Sequence, residues 1–195
     1  MSEKKILFYH PIFLDGGVEK TNLLISEELS KKYKVFFVSN HFSNKFDADI
    51  KKFRIKKIEL KAKRTILSFF ELFKVIKEIN PDLIFSLQMH ANVTVLMLNF
   101  FLFFNKLKII SCERLSPQSY NKNFKGKVIL FLAKFFYRFS VKIICNSFDL
   151  AKEIKHFSKS NNVLFIYNPT LRNNFKKLSK KIKLKNKPFF KKKEK

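Results

Sequence analysis

Short apolar runs alternate along this chain with longer stretches whose apolar residues recur every three or four positions. Lys5–Tyr9 (KILFY) predicts a buried strand, and residues 18–32 a helix with Val18, Ile25 and Leu29 on one face. Lys34–Ser39 (KVFFVS) predicts a second strand, and the weaker alternation of 53–60 a third. Thr65–Ile79 has Ile66, Phe69, Phe70, Phe73, Ile76 and Ile79 at helical spacing. Further strands are expected at Leu83–Leu87, 108–112, 141–146 and 163–167, with helices at 92–104, 127–139 and from Ser147, a good N-cap type, to His156. Strand and helix repeated in this way predict parallel βαβ units. Runs such as LIFSL and VKIIC suit a sheet covered on both faces. The expected class is therefore α/β: one Rossmann-like three-layer domain with a mostly parallel sheet over residues 1–170. Periodicity fades after Pro169, and 171–195 reads as a basic linker or tail, with a short helix near 174–181. No internal repeat is present.

Composition narrows this picture. Hydrophobic residues make up 46% of the 195, enough for a substantial core, and only three are glycine, which argues against a turn-rich β-sandwich. The formal charge is +26, and 171–195 hold twelve Lys/Arg against one acid, Glu194. Such a balance points to anionic partners: a membrane surface, a nucleic acid or a phosphorylated substrate. Abundant Lys, Phe, Asn and Ile also fit an AT-rich coding sequence, which accounts for part of the excess without any partner. Cys112 and Cys145 stand alone, without metal-ligand spacing, as expected in a reducing cytoplasm. The apolar run after Lys5 is too short for a signal peptide. The longest apolar stretch, 93–104, falls short of the roughly 20 helical residues that cross a bilayer.

In doubly wound folds ligands gather at the carboxyl ends of the strands. The first such end carries HPIFLDGGVE, where Gly16 and Gly17 open the first predicted helix. A paired-glycine turn at a helix N-terminus lets backbone N–H groups approach an anion. A plain strand–helix turn explains the same pair. The loop is neither a Walker loop nor a GxGxxG fingerprint.

The opening segment KILFYHPIFLDGGVEKTNLLISEELSKKYKVFFVSN resembles the start of family 4 glycosyltransferases. INPDLIFSL, IISCERLSP, IICNSFDLAKEI and VLFIYNP resemble later pieces of that family in the same order, over about residues 4–170. The resemblance implies a GT-B architecture, in which two Rossmann-like domains face each other across a cleft. The first domain handles the acceptor, and the second binds a nucleotide-sugar without a metal cofactor. Gly16 and Gly17 would match the loop that meets the donor phosphates and the acceptor. Glu19 would steady that loop or the helix start, where an acid also suits the helix dipole. Many relatives place a functional His near the position where this chain has Glu113-Arg114. Arg114 and His90 are therefore the catalytic candidates. The Arg114 guanidinium is suited to an anion, and pairing of Glu113 with Arg114 is the structural alternative. His90 suits an acceptor hydroxyl, Glu113 and Ser147 are further cleft candidates, and Ser147 also reads simply as a helix cap.

A full enzyme of this family is about twice as long. The segment after Asn168-Pro169 resembles its inter-domain linker, so the expectation is a split or truncated frame, inactive alone, whose C-terminal domain is encoded separately. The expected partners are a nucleotide-sugar, a glycan or lipid-linked acceptor, and an anionic membrane surface at the inner face of the cytoplasmic membrane. For that surface, Lys61, Lys63 and Arg64 precede the helix that carries Phe69, Phe70 and Phe73. A non-catalytic acceptor- or membrane-binding remnant is the alternative. Nucleic-acid binding is disfavoured, because the phenylalanines lie in apolar runs and are not interleaved with cations as stacking platforms.

Overall fold

The computed structural model describes residues 3–60, 65–104 and 106–169, and for 65–67 the backbone alone. In chain order its elements are β1 (Lys5–Tyr9), β2 (Ile12–Phe13), α1 (Gly17–Leu29), β3 (Lys34–Ser39), β4 (His41–Phe42), α2 (Asp47–Lys52), β5 (Lys56–Glu59), α3 (Thr65–Ile79), β6 (Leu83–Leu87), α4 (Met89–Leu102), β7 (Ile109–Glu113), α5 (Phe124–Phe136), β8 (Lys142–Cys145), α6 (Phe148–Ser158) and β9 (Val163–Phe165). Among the described residues the main sheet has seven strands in the order β5-β3-β1-β6-β7-β8-β9, and all are parallel. The chain starts at the centre, winds outward through β3 and β5, then crosses back to β6. The order therefore reverses between β1 and β6, and the connections leaving those two strands diverge above the sheet.

Side-chain alternation assigns the two faces. Leu7 and Tyr9 of β1 and Phe36 and Val38 of β3 join the core beneath α3, α4, α5 and α6. Ile6, Phe8, Val35 and Phe37 point the other way, to Leu23 of α1 and Ile50 of α2. On that face Phe8 stacks on Phe85 with ring centroids 4.9 Å apart. Continuous apolar strands are thus explained by helices on both sides, the expected α/β three-layer form.

Three local expectations change. In α1 the buried positions are largely polar: Glu19, Thr21, Asn22 and Ser26 surround Leu23, while Ile25 and Leu29 are half-buried. The Thr21 hydroxyl satisfies itself on the Gly17 carbonyl at 2.8 Å. In α3 Phe70 is exposed and Leu72 takes its place in the core. Helix α2 and the β2–β4 pair were not expected at all, being too short to show a period. The predicted tail helix and residues 171–195 lie outside the described residues.

Candidate functional site

The site is built beyond the carboxyl ends of β1, β7, β8 and β9. Gly16 caps α1 with extended backbone (φ −108°, ψ 176°), and the first rung of the helix runs from the Lys20 N–H to the Gly16 carbonyl at 3.2 Å. The N–H groups of Gly17, Val18 and Glu19 precede that rung and form the positive end of the helix dipole. A cavity of about 780 Å³ opens in front of them, lined by Gly17, Thr21, Arg114, Leu115, Asn146 and Asn168, among others.

The two glycines are needed for different reasons. A Cβ on Gly16 would come within 2.5 Å of Glu19 Oε2, whereas a Cβ on Gly17 would meet nothing within 4 Å. Gly16 therefore makes room for the Glu19 carboxylate, while Gly17 faces open space. That carboxylate does not point into the cavity. Glu19 is buried, and its Oε1 accepts the Leu14 N–H at 3.2 Å and lies 3.8 Å from His10 Nδ1.

His10 is the residue that sequence reasoning missed. It is buried at the end of β1, and neither ring nitrogen has a hydrogen-bond partner among the described residues. Burial pushes its pKa down to about 4. The Glu19 charge opposes this shift, and His90 and Arg114 reinforce it. His10 is consequently a neutral imidazole at neutral pH. Its signal was available: a histidine immediately after a buried strand, held against Pro11.

His90, in the first turn of α4, is half-buried, and burial also holds it below its ordinary pKa. The helix begins after Gln88, whose φ of 82° lies in the left-handed region that favours glycine. This strained residue follows β6, at the point where the strand order reverses.

Arg114 and Glu113 are neighbours in sequence but lie on opposite sides of the sheet. Arg114 lines the cavity, and its Nη1 donates to Asn168 Oδ1. Glu113 is buried on the α4–α5 side, where its Oε1 accepts hydrogen bonds from Asn92 Nδ2 at 2.6 Å and from the Tyr137 hydroxyl. Its Oε2 has no partner among the described residues, and burial raises its pKa to about 7. The alternative reading, a Glu113–Arg114 ion pair, is not found among the described residues, because strand alternation separates the two side chains. Glu113 belongs to a core network and does not line the cavity.

Ser147 accepts the Leu150 N–H at 3.3 Å as the N-cap of α6, and its neighbour Asn146 is the residue that lines the cavity. Lys61, Lys63 and Arg64 lie outside the described residues. In the helix they precede, Phe69 and Phe73 are partly buried against the core, and Phe70 alone of the three is exposed. Among the described residues no helix is long and apolar enough to cross a membrane.

The structure thus brings Gly17, Arg114, Asn146 and Asn168 to one cavity and braces its rim with Gly16, Glu19 and His10. A half-buried arginine sharing a cavity with a helix N-terminus combines a point charge with directed N–H donors, both suited to an anion.

Comparison with known proteins adds three findings. The family described as Glycosyltransferase Family 4 matches residues 15–170. A protein of Methanocaldococcus jannaschii described as an uncharacterized glycosyltransferase is 29% identical over 162 residues, covering 80% of this chain and 34% of its own. Among solved structures, Anabaena HepE in complex with UDP-glucose superposes with a TM-score of 0.64 at 16% identity, covering 84% of this chain and 43% of that one. A UDP-N-acetylglucosamine 2-epimerase from Methanocaldococcus jannaschii superposes with a TM-score of 0.57 at 12% identity, covering 84% and 45%. The chain therefore spans about a third of the curated relative and under half of these two structures.

Proposed function

Because the chain belongs to glycosyltransferase family 4, we propose that it forms the acceptor-side wall of a cleft in which a sugar passes from a nucleotide-sugar to a glycan or lipid-linked acceptor. The observation that carries this reading is the N-terminus of α1 opening at Gly17 onto a cavity whose far side holds Arg114. A diphosphate placed there meets unpaired backbone N–H groups and a guanidinium, which stabilise charge as it develops on the leaving group. His10 and His90, both with lowered pKa and close enough to interact electrostatically, lie near the end of β1, and the less buried His90 is the choice to receive a hydroxyl proton from the acceptor. The solved neighbours in complex with UDP-glucose and UDP lend support to a nucleotide-sugar donor.

In this reading the opposite wall of the cleft is a second Rossmann-like unit beyond these 195 residues, in keeping with the chain's spanning under half of its solved neighbours. Alone, the present chain binds a donor weakly and turns over negligibly, because half of the charge stabilisation is missing. The test is a sugar-transfer assay on the 195-residue chain, with and without the co-expressed product of the adjoining downstream DNA. Transfer only in the reconstituted pair supports the proposal. No transfer in either sample, with acceptor still bound, would identify a non-catalytic acceptor-binding remnant instead.

A further inference from the structure

Helix α5 has apolar residues on its outer face as well as its inner one. Gly126, Ala133 and Phe136 are buried against the domain. Phe124, Val128, Phe131 and Phe135 recur at i, i+4, i+7 and i+11 and are exposed, Phe124 by 80% and Phe131 by 75%. The C-terminal end of α4 packs alongside, with Phe100 and Phe101 against Phe135 and Phe136, and it adds exposed Phe101, Leu102 and Phe104. A contiguous apolar patch of this kind marks an interaction surface.

Charge distinguishes between occupants. Lys122, Lys125, Lys127, Lys134 and Arg138 are all exposed around the stripe, and the Arg138 guanidinium lies 4.6 Å from the Phe135 ring centroid. Between Asp82 and Asp149 the sequence has one acid, Glu113, and that residue is buried in the core. Two copies meeting face to face would bring like-charged rims together, which disfavours self-association. An apolar stripe rimmed by cations without acids matches an anionic bilayer, in which the rings enter the headgroup–acyl boundary and the lysines meet lipid phosphates.

We propose that the outer face of α5, extended by the end of α4, docks the domain on an anionic lipid surface. This surface differs from the Lys61–Arg64 region expected from sequence. It also stands without the sugar-transfer reading, since its test measures lipid and not turnover.

The test is flotation of the full chain with phosphatidylcholine vesicles with and without phosphatidylglycerol. Binding is expected only to the anionic vesicles and to weaken with salt. The double variant Phe124→Ser/Phe131→Ser should bind about tenfold or more weakly, while Phe70→Ser, on an exposed position of α3, should bind like wild type. The chain has no Trp, so Phe131→Trp provides a single fluorophore whose emission should shift to the blue on anionic vesicles. Undiminished binding by the folded double variant would transfer the attraction to the basic 171–195 segment and overturn the proposal. So would an unshifted Phe131→Trp emission, a stable dimer in place of vesicle binding, or equal preference for duplex DNA.

Discussion

Nδ1 of His10 lies 3.8 Å from Oε1 of Glu19, joining the end of β1 to the first turn of α1 below the paired glycines. The same carboxylate oxygen holds the Leu14 N–H, so one acid secures the strand end, the loop and the helix start together. Both residues are buried. Replacing Glu19 with Ala leaves the Leu14 N–H without its acceptor. A loss of about 1–3 kcal/mol is expected in urea unfolding.

The adjacent glycines should respond in opposite ways. Gly16→Ala forces its methyl onto the braced Glu19 carboxylate and should lower the melting temperature. Gly17→Ala meets no atom and replaces a helical glycine, so stability should hold or rise by up to about 1 kcal/mol. Under the proposed function its methyl intrudes where phosphates approach, so nucleotide-sugar affinity of the reconstituted pair should fall. Paired melting and titration curves check both.

Two buried groups give stability opposite pH slopes. His10 titrates at about 4 in the fold against an ordinary 6.5, so its contribution is complete above pH 6.5 and is lost as pH falls toward 4. Glu113 titrates at about 7 in the fold against an ordinary 4.5, so its contribution is complete below pH 4.5 and is lost as pH rises through 7. Glu113→Gln keeps an oxygen for Asn92 and Tyr137 without a charge. Its melting temperature should exceed that of wild type near pH 8 by the equivalent of about 1–3 kcal/mol, and the difference should vanish near pH 4.5. His10→Asn should remove the acid-side loss. Melting curves across this range test both signs.

Arg114 holds Asn168 beyond β9 and faces the α1 terminus across the cavity. Arg114→Lys keeps a charge but loses the planar fork. Transfer by the reconstituted pair should drop by about 10²-fold, with faster amide exchange in the segment around Asn168. Unchanged kinetics would remove Arg114 from the site.

Gly126 is the third glycine, and its requirement is steric. A Cβ there would lie 1.7 Å from the Tyr120 carbonyl oxygen, a backbone atom that cannot rotate away. Gly126→Ala should cost about 1–3 kcal/mol or displace the start of α5 from the Pro117–Tyr120 turn. Urea unfolding, with lipid flotation beside it, separates the two effects.

The sequence by itself determined the α/β class, the bounds of β1, β3, α3 and β6, and the place of the glycine pair. Those features rest on local periods and turn chemistry, which a chain carries without its neighbours. Resemblance along residues 4–170 also pointed to the family that the chain matches. What the polar face of α1 does was decided in three dimensions, because Glu19, Thr21 and Asn22 acquire meaning only from what lies opposite them. The same holds for Glu113 and Arg114: adjacent in sequence, both were cleft candidates, and the pleat sends one into the core and the other to the cavity. His10 had one signal in the sequence, its place after a buried strand, but its burial and its proximity to Glu19 and His90 came only when β1, α1 and α4 converged. Burial and long-range proximity are properties of the packed sheet, and no window along the chain contains them.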